Sequence, residues 1–571
     1  MADTFDMAGN RLRYDELLSP DPGFQLAFAV CMTYSLDLEA LLGASMALGL
    51  QQEMDSELQN NPFALLEAIR KSSDKVAIFC NAGSIALPQN IKSVFALLEH
   101  SVFEVKMPNR QNFHPKLWFI KYENASGAAY LKLIVLTRNL TFDPSIDMCV
   151  SMQGKVTRTV RRKNQPLADM LAFVERFADS TKKQKIEALA DDVLHVKEFE
   201  LSHPFEEYTF YPLGMEEHAE AVPALFDRKS ALFLVSPFLS NDIVGELVGS
   251  TGKAILVTRK ASVTKEIFQR FQDVYVTKDI LNDNEFSTRQ DIHAKVYYTS
   301  TAKGNYLYIG SANASHNAFH NNVEFLLCLQ YKPNTVGWDT FCNDFLPEEN
   351  CAYEKLEAVP ERQAADEAQL AIDAAFKEAV YAIKNAKVEE TGNCYAVTIN
   401  AKPRKTALTV KIAPMQRHTL SVPLQTQTVL EGLLLKELSE FYILTIEGQN
   451  TVVKIKTAGI PAQRDNAIYN SIIPTQSAFL SYLSFMLSAD DIESLIDDTA
   501  TLGGPDDPAD MSQSAPPHAA VYEPLLKRLY QNPRCIEGIA DMIKRLDPAI
   551  SGDALIAMVQ QFQAAARRLK A

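Results

Sequence analysis

Two stretches of the chain repeat one another in the order of their polar residues, and that repeat constrains the fold more than any other feature. The first reads FHPKLWFIKYENASGAAYLKLIVLTRNLTFDPSIDMCVSM, the second IHAKVYYTSTAKGNYLYIGSANASHNAFHNNVEFLLCL. Each has H-x-K, an aromatic-apolar run, a polar or Gly-containing turn, a second apolar run ending in [ST]-x-N, and then an acidic residue opening another apolar run. The residues are His114, Lys116, Thr137, Asn139 and Asp147 in the first copy, and His293, Lys295, Ser311, Asn313 and Glu324 in the second. Side chains alternate faces along a strand. His114 and Lys116 therefore share one face while Phe113 and Leu117 turn to a core; His293 and Lys295 stand likewise against Ile292 and Val296. Thr137 with Asn139, and Ser311 with Asn313, share a face at a neighbouring strand end. Two copies about a pseudo-twofold axis bring two such sets together.

From about residue 24 to 345, β-rich runs such as KVAIFC, ALFLVSPFLS and KAILVTR alternate with helical patterns, which predicts α/β layers around mixed sheets. The expected segments are a first half over 1–170, a second half over 171–350, a connecting helix within 351–390, a β-rich accessory domain over 391–462 and a helical region over 463–571. Within the last, the Gly, Pro, Asp and Ser of 498–520 predict a flexible segment. The length of 571 residues suits several modules, and 47% apolar with 22% charged residues excludes a wholly disordered chain. The eight cysteines form no C-x-x-C pair, which argues against a zinc ribbon or redox motif and suits a reducing, cytoplasmic setting. The polar N-terminus is unlike a signal peptide, and no apolar stretch is long enough to span a bilayer. No cofactor and no metal are expected; His316 and His320 have helical i,i+4 spacing but no evident third ligand.

The repeat resembles the phospholipase D superfamily, whose pattern is H-x-K-x4-D followed by G-S-x-N. The second copy, with GSAN at 310–313, is a close match; the first has LTRN at 136–139. The family's Asp after the Lys is replaced by Lys121 and Ser300. This H-K-N variant is similar to tyrosyl-DNA phosphodiesterases and to metal-independent restriction endonucleases of the superfamily. The resemblance covers about residues 20–345 and implies two pseudo-symmetric phospholipase D-like α/β/α halves.

It further implies a DNA nuclease of bacterial defence or restriction working through a phosphohistidine. His114 is expected as nucleophile and His293 as acid, with Lys116, Lys295, Asn139 and Asn313 holding phosphate oxygens. Thr137 and Ser311 would add hydrogen bonds, and Asp147 and Glu324 would orient the histidines. Nucleic acid is the expected partner, with a homo-oligomer and a hexameric motor ATPase as further expectations. The chain has no G-x-x-x-x-G-K-[ST] loop, so any motor would be a separate subunit. The rival readings are a lipid phosphodiesterase or phosphatidyltransferase and a catalytically silent nucleic-acid-binding subunit.

The net charge of −15 gives no general reason to bind a polyanion. Residues 101–185 nevertheless hold 15 Lys/Arg against 7 Asp/Glu. Lys155, Arg158, Arg161, Arg162, Lys163, Lys182, Lys183 and Lys185 are expected to steer a nucleic-acid backbone. Arg110, Arg138 and Arg289, close to the motifs, are expected to touch substrate phosphates.

Overall fold

The computed structural model describes residues 14–50, 61–108, 111–143, 145–221, 223–278, 291–348, 351–360, 366–487, 525–526 and 535–570. Its organising element is a pair of like sheets. In the first half, β1 (Phe24–Thr33), β2 (Val76–Asn81), β3 (Val102–Val105), β4 (Leu117–Asn124), β5 (Ala129–Leu136) and β6 (Cys149–Lys155) form a sheet in the order β3-β2-β1-β4-β5-β6. In the second, β7 (Ala231–Val235), β8 (Lys253–Thr258), β9 (Asp273–Thr277), β10 (Val296–Thr301), β11 (Gly304–Gly310) and β12 (Glu324–Tyr331) follow the order β9-β8-β7-β10-β11-β12. The first three strands of each sheet run parallel and the last three are antiparallel neighbours. The α/β fold of two pseudo-symmetric halves is therefore the one expected from the repeat. The second sheet carries two further edge strands, Tyr353–Lys355 beside β9 and Phe205–Leu213 beside β12.

Period-two burial explains how the halves join. Along β1, Phe28, Val30 and Met32 enter a core shared with Phe233, Val296, Ile309 and Phe325 of the second sheet. Ala29 and Cys31 face the other way, into a helical layer. Both faces are covered, so β1 reads as a continuous apolar run rather than an alternating one. The helical C-terminal region supplies much of that outer layer: Tyr469, Phe479, Tyr482, Ile539 and Val559 pack with Leu41, Leu66 and Ile69. The segment 498–520 lies outside the described residues.

Several element bounds differ from the expected segments. Helix Gln165–Glu175 runs through residue 170. The following helix, Ser180–Leu194, belongs with the first sheet, because the Lys182 ammonium caps the carbonyls of Ser73 and Val76 at the start of β2. The connecting helix is Glu367–Ala382, and the β-rich part begins directly after it, at Ile383.

That β-rich part is stitched into the first half. Leu36–Asp37 and Ile85–Ala86, both from the first half, extend a sheet made of Lys411–Pro414, Val422–Pro423, Phe441–Ile446 and Gln449–Lys454. The turn before Ile85 contains Gly83 at φ 75°, where a Cβ would meet Val380 at 2.6 Å. A buried carboxylate fixes the same junction: Glu99 accepts from Ser439 Oγ at 3.0 Å, from the Glu440 amide at 2.9 Å, and from the Arg464 guanidinium. Glu99 and Arg464 are 4% and 3% exposed, so removing one partner strands the other charge in the core. Arg464→Met is expected to destabilise the chain by about 3–5 kcal/mol in urea denaturation. A loss under about 1 kcal/mol, typical of an exposed pair, would contradict this packing.

Candidate active site

The two histidines stand just before β4 and β10, and the backbone ties each to the other half. Phe113 bridges Val323, and Ile146 bridges Ile292, in parallel pairs. The His114 amide donates to the Val323 carbonyl and the His293 amide to the Ile146 carbonyl, both at 2.9 Å. Each H-x-K segment thus lies beside the residue preceding the acidic position of the opposite copy. Phe113, Leu117, Ile292 and Val296 are fully buried, as the alternation requires. The two half-sites face one cleft.

Across that cleft the chemistry is unequal. Glu324, wholly buried, places Oε2 2.7 Å from His114 Nδ1. The same oxygen accepts from Ser311 Oγ at 2.5 Å, and Oε1 accepts from Asn322 Nδ2 at 3.2 Å. A carboxylate accepting from Nδ1–H makes Nε2 the acceptor nitrogen of His114, and Lys116 Nζ lies 3.3 Å from it. Asp147 occupies the equivalent place in the first copy, one residue after Ile146, but is not bonded to His293. It is one methylene shorter than Glu and faces Arg138 Nη1 at 3.5 Å. The carboxylate near His293 is that of Asp143, with Oδ2 3.9 Å from Nε2. Asp143 is itself held by the Ser145 amide at 2.8 Å and the Ser145 hydroxyl.

Lys116 and Lys295 are 2% and 3% exposed. Each ammonium donates to the carbonyl of its own motif histidine, Lys116 to His114 at 3.1 Å and Lys295 to His293. Lys295 also reaches across to the Thr137 carbonyl at 3.2 Å. Burial pushes Lys116 down to about 7, against the pull of Glu324. Lys295 is driven well down by burial and by Lys116. Burial, with Lys295, Arg259 and Lys116, brings His293 down to about 4. His114 also falls below its ordinary value through burial, which outweighs Glu324. Both shifts favour the neutral imidazole in the free protein. An entering anion returns to these groups the partner that burial removed.

The amides of Asn139 and Asn313 each have a buried Oδ1 without a hydrogen-bond partner, at equivalent places in the two halves. Thr137 and Ser311 are committed to the frame. Thr137 Oγ1 accepts from the Met148 amide at 2.8 Å, and Ser311 Oγ accepts from the Phe325 amide at 2.9 Å. Gly310 fits its place because a Cβ there would meet the Phe325 carbonyl oxygen at 2.1 Å.

Sequence reasoning missed a second pair of equivalents. Thr33 ends β1 and Ser236 directly follows β7. Thr33 Oγ1 accepts from the amide of Leu140 at 3.0 Å, and Ser236 Oγ accepts from that of Ala314 at 2.9 Å. Both amides belong to the residue after a motif asparagine, so each hydroxyl fixes where that amide group points. The missed signal lies upstream, where CMTYS and LVSPF end the two central strands in step. Tyr34, with its ring centroid 5.0 Å from that of His114, and Arg259, with Nε 2.8 Å from Asp291 Oδ1, complete the surround.

Of the expected substrate arginines, only Arg138 is among the described residues. Arg138 donates to the carbonyls of Thr141 at 2.7 Å and Asp143 at 3.0 Å, so it staples its own loop. Arg110 and Arg289 lie outside the described residues. The cluster at 155–163 is not beside the site: β6 begins near the cleft at Cys149 and runs away from it, to end at Lys155. A strand of that length carries the cluster about 20 Å along the sheet. His316 bonds Asp242 at 2.6 Å, and no cluster of three or more His, Cys, Asp or Glu fit to hold a metal ion occurs among the described residues. Among the same residues, no helix is long and apolar enough to cross a membrane.

Two sheets of like strand order each deliver H-x-K and [ST]-x-N to one place. No protein-family model matches the chain. No curated protein matches it either. Among solved structures it is similar to yeast tyrosyl-DNA phosphodiesterase, with 13% identity over 56% of this chain and 85% of that one and a TM-score of 0.34. It is also similar to phosphatidylserine synthase of Haemophilus influenzae, with 12% identity over 64% of this chain and 91% of that one and a TM-score of 0.34. A third likeness is to Nuc of Salmonella typhimurium, a phospholipase D family member, with 15% identity over 27% of this chain and all of that one and a TM-score of 0.20. These likenesses are distant, and the chain's own residues define the site.

The electrostatics are testable without a substrate. In ring-nitrogen NMR titration of the free protein, His293 is expected to protonate at about pH 4 and His114 below the ordinary histidine value. A His293 midpoint at or above about 6.5 would contradict the buried, lysine-flanked setting.

Proposed function

We propose that the chain is a phosphodiesterase that cleaves DNA without a metal, through a covalent phosphohistidine. The observation that carries this reading is the hydrogen bond of His114 to Glu324 of the opposite half, in a cleft that also holds His293 and two buried lysines. His114, with Nδ1–H bound to Glu324, presents Nε2 to phosphorus. As the N–P bond forms, the P–O bond to the leaving group breaks, and protonated His293 gives its proton to that oxygen. His293 then takes a proton from water, whose oxygen attacks phosphorus and releases His114. Lys116 and Lys295 balance the non-bridging oxygens, and the amides of Asn139 and Asn313 turn their N–H groups to the same point. The ammonium charges do the electrostatic work a metal ion does elsewhere.

His293 acts as an acid only when protonated, and its depressed value makes that form scarce in the free protein near neutrality. The negative phosphodiester raises it on binding. kcat/KM for a DNA substrate is therefore expected to fall as the pH rises, and more steeply above about 7, where Lys116 also loses its charge. A profile flat between about pH 6 and pH 9 would contradict these roles.

Plasmid cleavage in excess EDTA tests the reading. Cleavage is expected for the native chain, with a loss of at least about 10³-fold in His114→Ala and in His293→Ala. Retained DNA binding without any cleavage would identify a silent binding subunit. Release of choline from phosphatidylcholine, with DNA untouched, would identify a lipid enzyme.

A further inference from the structure

Among the described residues, two aromatic side chains are counted with the exposed large hydrophobics: Phe142 at 60% and Phe238 at 52%. Both flank His293. Phe142 immediately precedes Asp143, whose carboxylate is 3.9 Å from His293 Nε2. The ring of Phe238 lies 4.7 Å from the guanidinium carbon of Arg259, which forms an ion pair with Asp291, two residues before His293. Phe238 also follows Ser236, the hydroxyl that fixes the residue after Asn313.

Pseudo-symmetry makes the position informative. Counting from Thr33 and Ser236, the first-half equivalent of Phe238 is Ser35; counting from Leu140 and Ala314, the second-half equivalent of Phe142 is His316. The fold thus does not require an aromatic residue at either place. On the His114 side, the neighbouring ring is the half-buried Tyr34, packed against the histidine itself. Isolated exposed apolar residues are ordinary. Two exposed phenyl rings close to the residues around His293, one of them backed by a guanidinium, are the elements of a base-stacking platform.

We propose that Phe142 and Phe238 stack on the bases next to the scissile phosphate on the His293 side, so that the substrate is single-stranded or locally unpaired DNA. This rests on the reading of the cleft as a DNA phosphodiesterase. In a duplex both faces of a base are covered by its neighbours, so only an unstacked base presents a face to a ring.

The test compares the affinity of the full chain for a single-stranded oligonucleotide and for an abasic strand of equal length and phosphate count, by fluorescence anisotropy at one salt concentration. The base-bearing strand is expected to bind more tightly by about five- to a hundredfold. That preference is expected to vanish in the Phe142→Ala/Phe238→Ala double variant, while cleavage of the abasic strand stays at the native rate. Equal affinity of the native chain for the two strands would overturn the proposal, whatever the cleavage activity. A base preference that the double variant abolishes supports the platform even if neither strand is cut; that lack of cleavage counts against the nuclease reading alone. Binding to phosphatidylglycerol vesicles that disappears in the double variant, with no preference between strands, would make the rings a membrane contact and overturn the proposal.

Discussion

The site depends on two short parallel pairings between the halves, Phe113 with Val323 and Ile146 with Ile292. Each sheet alone has only half a set: one imidazole, one ammonium, one amide. The pairings place His114 beside the residue that precedes Glu324, so that a carboxylate from one half holds the imidazole of the other. The shared core between the sheets holds the pairings in register, because Phe113, Val323, Ile146 and Ile292 all belong to it. A slip of one residue would turn the histidines into the core and the apolar neighbours into the cleft.

The same pairing brings unlike groups to its two ends, and the difference gives the rings different chemistry. Glu324 is long enough to reach Nδ1 of His114 and is fixed by Ser311 and Asn322. Asp147 is shorter and lies against Arg138, which leaves His293 with a looser carboxylate, Asp143, and with Arg259 among the charges that lower it. One ring is thus fixed in a single tautomer. The other gains its proton most readily when a negative group is present. Identical halves would give two equivalent histidines; a nucleophile and an acid need this inequality.

What could be read from sequence followed from how local each signal was. H-x-K directly precedes β4 and β10 and [ST]-x-N directly follows β5 and β11, so the eight motif residues of that kind were legible from the strands they adjoin. Asp147 was legible as the counterpart of Glu324, but its partner was not, since that depends on how residues 138–147 fold back onto Arg138. How far the basic residues of 155–163 lie from the motifs was not legible, because nearness in sequence is not nearness in space and a strand separates the two. The stitching of the β-rich part to the first half was invisible: Leu36–Asp37 and Ile85–Ala86 are two-residue strands, too short to show a pattern. Thr33 and Ser236 were missed because a lone hydroxyl at a strand end carries no signal until the two sheets are overlaid.

The central claim, that both imidazoles act on one phosphorus, is tested most directly by a double-mutant cycle on DNA cleavage with His114→Ala and His293→Ala. If they act in one step, either single change removes nearly all the catalysis, and the double variant is slower than the worse single by less than about tenfold. If the two losses instead multiply, the histidines work independently, and the shared site described here is wrong.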